Sequence, residues 1–195
     1  MNNYQIIELH YITPIRNLLS IFRNGIFCHN RAKQLPHADI SMNEIQDRRE
    51  QIKVPNGLHL HDYVNLYFDA HNPMLSRRRN QNLEICILRI SADVLNLQGV
   101  VLSDRNASSS YAKFLTYPEG LVELNFEKIF SRYWTDPDQF VEWENKSFKC
   151  AEVLVPNVVL PEYITGVYVF NRTAQHRVTE LNLNLNIIIQ PEIFF

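Results

Sequence analysis

Cysteine, glycine and surplus positive charge are all scarce in this chain, and each shortage excludes a class of protein. The three cysteines, Cys28, Cys86 and Cys150, stand far apart with no Cys-x-x-Cys pair. A scattered odd set argues against a disulfide framework or a thiolate zinc site, and predicts buried thiols in a reducing compartment. Only 5 glycines occur in 195 residues. None falls in a Gly-x-Gly-x-x-Gly, Walker A or Gly-x-Ser-x-Gly pattern, so a Rossmann dinucleotide site, a P-loop and a serine-hydrolase elbow are all unsupported. No apolar run reaches membrane-spanning length. Met1–Gln5 lacks a charged segment leading into an apolar one, so no signal peptide is expected. Lys and Arg number 19 against 21 Asp and Glu, a formal net charge of −2. High-affinity duplex binding normally needs a basic surface, whereas a short single strand needs only a local basic groove. A soluble, cytoplasmic protein with no membrane partner is expected.

What the chain does have is a hydrophobic fraction of 46%, enough for one core and a single domain over 1–195. Ile6–Ile12 reads as a strand, followed by Thr13-Pro14 as cap and first residue of a helix that Asn24-Gly25 ends. A helical turn is expected around Met42–Gln51 and at least one strand within Leu58–Phe68. Pro73-Met74-Leu75 opens a short helix, Leu83–Ile90 and Val100–Ser103 are strands, and Asp104–Ser110 is a loop. A helix is predicted at Phe126–Tyr133, then strands at Ala151–Val155, Ile164–Phe170 and within Leu181–Ile189, where Leu and Asn alternate. Short strands with helices between them, in no regular alternation, make an α+β domain.

Four constellations carry chemistry. Glu152 interrupts the apolar run Ala151–Val155; a carboxylate buried there is costly unless paired or used. Period-2 alternation equally allows it to face water, with Ala151, Val153 and Val155 on the other side. Arg48-Arg49 can present a guanidinium fork to phosphate, although Glu44 can instead pair with Arg48 on a solvated helix. His59-x-His61 with Asp62 has two imidazoles at strand spacing, a weak metal pattern with no third ligand at useful distance, so no metal is expected. Arg77-Arg78-Arg79 and Arg105, with Tyr111, Tyr133 and Trp134, combine phosphate-binding and base-stacking side chains, though surface arginines and core aromatics read the same way.

The order of several blocks is more specific than any one of them. Thr13…Asn17-Leu18, Arg48-Arg49, Leu60-His61-Asp62-Tyr63-Val64…Tyr67-Phe68, Asn72-Pro73-Met74-Leu75, Asp104…Asn106-Ala107-Ser108 and Ala151-Glu152-Val153-Leu154-Val155-Pro156 follow one another across Leu9–Val169. This series resembles the DarT family of DNA ADP-ribosyltransferases. The resemblance implies an ADP-ribosyltransferase-like fold: two small packed β-sheets around an NAD cleft, with flanking helices. It implies NAD consumed as substrate, a base in single-stranded DNA as acceptor, and a toxin opposed by a DarG-like macrodomain antitoxin.

Carried over position by position, Glu152 is the expected catalytic carboxylate, with Arg49 (or Arg48) as its partner. His10, Tyr11, Thr13, Asn17 and Arg49 are expected at NAD, and Tyr67, Met74, Arg77, Arg78, Arg105 and Asn106 at the nucleic acid. Two blocks depart from the family. Its Tyr-His-Ile-Thr stands here as His10-Tyr11-Ile12-Thr13, so Tyr11 is expected to take the place of the family histidine. Its arginine before Pro-Met is replaced by His71-Asn72, which leaves the identity of the base open. Three other readings of the residues stand beside this one: the same fold acting on RNA or protein, a non-catalytic nucleic-acid-binding module, and a metal-dependent nuclease built on His59, His61 and Asp62.

Overall fold

The computed structural model describes residues 6–195, so the reading of Met1–Gln5 lies outside the described residues. Strands run β1 Glu8–Pro14, β2 Ile26–Phe27, β3 Tyr63–Tyr67, β4 Ile85–Ser91, β5 Val101–Ser103, β6 Phe114–Thr116, β7 Glu152–Pro156, β8 Val158–Val159, β9 Ile164–Val169 and β10 Ile187–Ile189. Helices are α1 Leu18–Asn24, α2 His29–Ala32, α3 Asn43–Glu50, α4 Pro73–Ser76, α5 Phe126–Ile129, α6 Gln139–Lys149 and α7 Arg172–Thr179.

Eight strands form one sheet in the order β10-β9-β4-β1-β3-β7-β5-β6, and β2 pairs with β8 separately. All pairs are antiparallel except β9 with β10. The pairings are uneven in a way that makes the cleft. β1 and β4 stay in register from Glu8↔Ser91 to Pro14↔Ile85, and β3 and β7 from Tyr63↔Pro156 to Tyr67↔Glu152. Between these two blocks β1 and β3 meet at one residue pair, His10↔Tyr67. In place of the two small packed sheets expected, the described strands form one large sheet whose two four-stranded halves are joined by a single residue pair.

The main core packs Leu9, Leu66, Leu88, Val153 and Val167 against Leu18 and Ile21 of α1 and Ala174 and Val178 of α7. Both faces of β7 are covered: Ala151, Glu152, Val153, Leu154 and Val155 are each 1% exposed or less. The water-facing reading of Glu152 is therefore excluded.

Several local expectations change. Pro14 ends β1 instead of opening a helix, because the β1–β4 ladder outcompetes it: Ile15 N still donates to Glu84 O at 2.8 Å. A 3₁₀ turn, Ile15–Asn17, intervenes before α1. Gly25 ends α1 with φ +89°, where a Cβ would lie 2.6 Å from Val159 O. Leu60–Asp62 is a 3₁₀ turn, so His59-x-His61 never has strand geometry. The helix begun at Phe126 stops at Ile129. The Leu–Asn alternation at 182–186 precedes β10 without joining it; Leu181, Leu183 and Leu185 pack on the core while Asn186 O accepts from Val167 N at 2.9 Å.

Candidate active site

Glu152 opens β7 opposite Tyr67 of β3 and lines the cleft at 1% exposure. Such a carboxylate needs compensation, and three contacts supply it. Arg49 Nη1 donates to both Glu152 oxygens, each at 3.1 Å, and Ala107 N donates to Oε1 at 3.1 Å. Arg49 lies on α3, a helix with no apolar stripe, so charge and hydrogen bonding and not hydrophobic burial dock its inner face. One turn earlier on that face, Gln46 Oε1 accepts from His61 Nε2 at 3.0 Å. Arg48, the neighbouring residue, is exposed on the cleft rim, while Arg49 is 5% exposed.

The Ala107 amide is aimed by local sequence. Asn106 Oδ1 accepts from Ser108 N at 2.9 Å and from Ser108 Oγ at 2.8 Å, closing an Asx turn. Asn106 N donates to Ser147 O on α6 at 2.9 Å. Asp104, 3% exposed, accepts from Lys113 N at 2.8 Å and pairs with Arg105 at 3.1 Å. The Asp-x-Asn-Ala-Ser segment thus works as a bracket that turns one backbone N–H onto the carboxylate.

The cleft above this pair encloses about 1310 Å³, more than a single small-ligand pocket commonly has. Tyr11, Thr13, Asn17, Arg48, Arg49, Tyr67, Met74, Arg77, Arg78, Arg105, Asn106 and Glu152 all line it. His10 does not. Strand alternation sends it to the opposite face from Tyr11, where His10 Nε2 lies 3.4 Å from Glu8 Oε1, beside Arg89 and Tyr168. Its expected place at NAD is corrected on that ground.

Other expected residues lie at the cleft but are already engaged. Asn17 Nδ2 donates to Ala38 O and Asn17 Oδ1 accepts from Ala38 N, both at 2.9 Å. Arg78 donates to the carbonyls of Ile40 and Ser41, and Arg77 to Met42 Sδ at 3.6 Å. Together these three side chains tie the 33–42 segment over the cleft. Asn72, fully buried, accepts from Leu75 N at 3.1 Å and donates to Asp69 O at 2.9 Å, which seats α4 and its Met74.

Protonation states follow from burial. Desolvation lifts the Tyr11 phenol to about 12 with help from Asp39, and raises Tyr67 well above its ordinary value, aided by Glu152. Both remain neutral hydroxyl groups. Burial first, and Glu152 second, push the Cys150 thiol up to about 12, which removes it as a nucleophile. His29 and His61, with ring centroids 4.2 Å apart, are held below the ordinary histidine value chiefly by burial. Asp62 accepts from Asn30 at 2.7 Å and His59 is exposed, so the suggested nuclease triad is dispersed. Among the described residues no group of three His, Cys, Asp or Glu side chains could hold a metal, and no helix is long and apolar enough to cross a membrane.

Two features suit the site to a dinucleotide: the volume, and Arg49 Nη2, a buried donor with no hydrogen-bond partner among the described residues. Four contributors were not foreseen from sequence: the Ala107 amide, Gln46, Phe140 and Trp143. Asn106-Ala107-Ser108 carried a readable Asx-turn signal for the first; the others had none of comparable strength.

The model of the DarT family, described as ssDNA thymidine ADP-ribosyltransferase, matches residues 10–195. A DNA ADP-ribosyl transferase of Thermus sp. (strain 2.9) is 34% identical over 72% of each chain. A DNA ADP-ribosyl transferase–DNA ADP-ribosyl glycohydrolase fusion protein of Thermosipho africanus (strain H17ap60334) is 29% identical over 96% of this chain. The chain spans about half the length of that fusion, 49%. The structure of Thermus sp. 2.9 DarT with ADP-ribosylated ssDNA superposes with TM-score 0.85 at 27% identity over 97% of both chains. The same protein with carba-NAD+ superposes with TM-score 0.82 at 25% identity over 98% of this chain and 100% of that one. With the split sheet, the buried Glu152–Arg49 pair and a family match over nearly the whole length, the chain has the ADP-ribosyltransferase fold and belongs to the DarT family of NAD-dependent ssDNA thymidine ADP-ribosyltransferases.

Proposed function

We propose that residues 1–195 form one domain that transfers ADP-ribose from NAD to a thymine base in single-stranded DNA, with Glu152 as the catalytic carboxylate. The observation that carries this reading is the buried Glu152–Arg49 pair at a cleft roomy enough for two substrates. In the transfer, the bond between ribose C1′ and the nicotinamide nitrogen breaks and nicotinamide leaves with the electron pair. A ring nitrogen of the base gives its pair to C1′, and its proton passes to Glu152. Positive charge develops on the ribose as the bond breaks, and a fixed carboxylate stabilises it. Ala107 N and Arg49 Nη1 keep that carboxylate in one orientation. Arg49 Nη2 is the donor left for an anionic substrate oxygen, and Tyr11, Thr13 and Tyr67 supply hydroxyl groups around the same space.

The fusion relative, which joins a transferase to a glycohydrolase, supports a toxin role with a DarG-like macrodomain antitoxin as the partner that removes the mark. Three buried free cysteines support a cytoplasmic setting.

The test is incubation with labelled NAD and a thymine-containing oligonucleotide. Label on the DNA is expected, and Glu152→Ala should reduce it at least about 100-fold. Label confined to RNA or protein would reassign the acceptor, and failure to consume NAD would overturn the reading.

A further inference from the structure

The outer half of α6 presents two aromatic rings to water. Phe140 and Trp143, one helical turn apart, meet edge to face at 5.6 Å and are 75% and 53% exposed. Asp138 caps the helix through Phe140 N at 2.8 Å, so the rings stand on a fixed element. Core packing does not account for side chains this exposed. Both line the cleft that holds Glu152, as does Tyr111 at 78% exposure. Clustered exposed aromatics of this kind mark a binding surface.

The electrostatics narrow the occupant. Lys146 pairs with Glu142, Lys128 with Glu144 at 2.8 Å, and Arg105 with Asp104 while lying 4.2 Å over the Phe148 ring. Arg78 is spent on backbone carbonyls. The cations of α6, its neighbour Lys128 and Arg105 are thus already paired with carboxylates, so phosphate contacts beside the two rings supply little affinity, and flat faces supply the rest there. Unpaired bases stack on such faces regardless of sequence.

Resting on the reading of this chain as a single-stranded DNA modifier, we propose that Phe140 and Trp143 form the stacking platform for the base next to the modified thymine, and that the strand is held mainly through its bases. Replacing that neighbouring nucleotide by an abasic one should raise the oligonucleotide KM of the unaltered protein at least about tenfold. Trp143→Ala should raise KM to a similar degree with the effect on KM and not on kcat, should be insensitive to the abasic change, and should be largely rescued in Trp143→Phe. The salt dependence of oligonucleotide affinity should have a log–log slope shallower than about −2, equivalent to fewer than three neutralised phosphates on a single strand.

An oligonucleotide that is modified normally despite the abasic neighbour would overturn the platform while leaving the activity intact. So would self-association of the protein that Trp143→Ala abolishes without changing KM, which would assign the rings to a contact between copies. A slope steeper than about −2 would overturn base-dominated binding. Absence of any modified DNA would instead be a failure of the underlying activity.

Discussion

One guanidinium nitrogen spans both oxygens of Glu152, and almost no water reaches either group. Stability and chemistry are therefore coupled at these two residues. Removing either partner strands a buried charge, at a cost of about 3–5 kcal/mol, whereas removing both eliminates the desolvation penalty along with the attraction. Arg49→Met and Glu152→Gln should each lower the urea midpoint clearly, and the double variant should regain most of the loss while remaining inactive. Strictly additive losses would mean that the pair is not coupled in the folded state. Glu152 is also where sequence carried furthest: its apolar neighbours flagged a costly carboxylate, but pattern alone could not say whether both faces of the strand were covered. The resemblance favoured Arg49 over Arg48 without settling the register; the two positions point about 100° apart on a helix, and the docking of α3 decides which one turns inward. His10 fell on the wrong face because a one-residue difference reverses direction in a strand.

At the level of elements, the cleft roof is a short irregular segment held by a few polar ties. Asn17 grips Ala38 at both its backbone groups, and Arg78 grips Ile40 and Ser41. Loss of the two Asn17–Ala38 bonds, together with the 3.3 Å bond from Asn17 Nδ2 to Thr13 Oγ1, in Asn17→Ala should cost about 1–3 kcal/mol locally. Faster amide exchange is expected across 33–42 without a matching change in β4, read by hydrogen-exchange mass spectrometry. Exchange unchanged in that segment would show that Asn17 does not hold it and that Arg77 and Arg78 suffice. Elements with strong periodicity or β-branched content, such as β4 and β9, were legible, and so was the short Asn72-capped α4. α6 was not, because its aromatic residues face a cleft and its amphipathic pattern lacks a buried stripe along most of its length; the Asp138 cap and the Glu142–Lys146 spacing were its available signals. The Leu–Asn alternation misled for the converse reason: side chains can alternate against a core while the backbone stays out of the ladder.

At the scale of the whole molecule, acid should loosen the far face of the sheet. Hydrogen bonds from His10, Tyr168 and Arg89 outweigh partial burial and hold the Glu8 carboxyl at about 2, below its ordinary 4.5. A carboxylate with a lowered folded-state value stabilises fully above the unfolded value and loses that contribution as pH falls towards the folded one. Glu8→Gln should therefore lower thermal stability near neutrality and narrow the difference from the parent protein between pH 4.5 and 2. A difference constant across that window would remove Glu8 from the account. This cluster ties β1, β4 and β9 within one half of the sheet and leaves the other half untouched.

The single His10↔Tyr67 pair gives the sheet a seam. Tyr11 and Thr13 of β1 line the cleft on one side of that seam and Tyr67 of β3 and Glu152 of β7 on the other, so a molecule in contact with both would act as a cross-brace, much as a keystone loads both sides of an arch. Part of the affinity is then returned to the scaffold as rigidity, about 2.7 kcal/mol at a hundredfold excess over the dissociation constant.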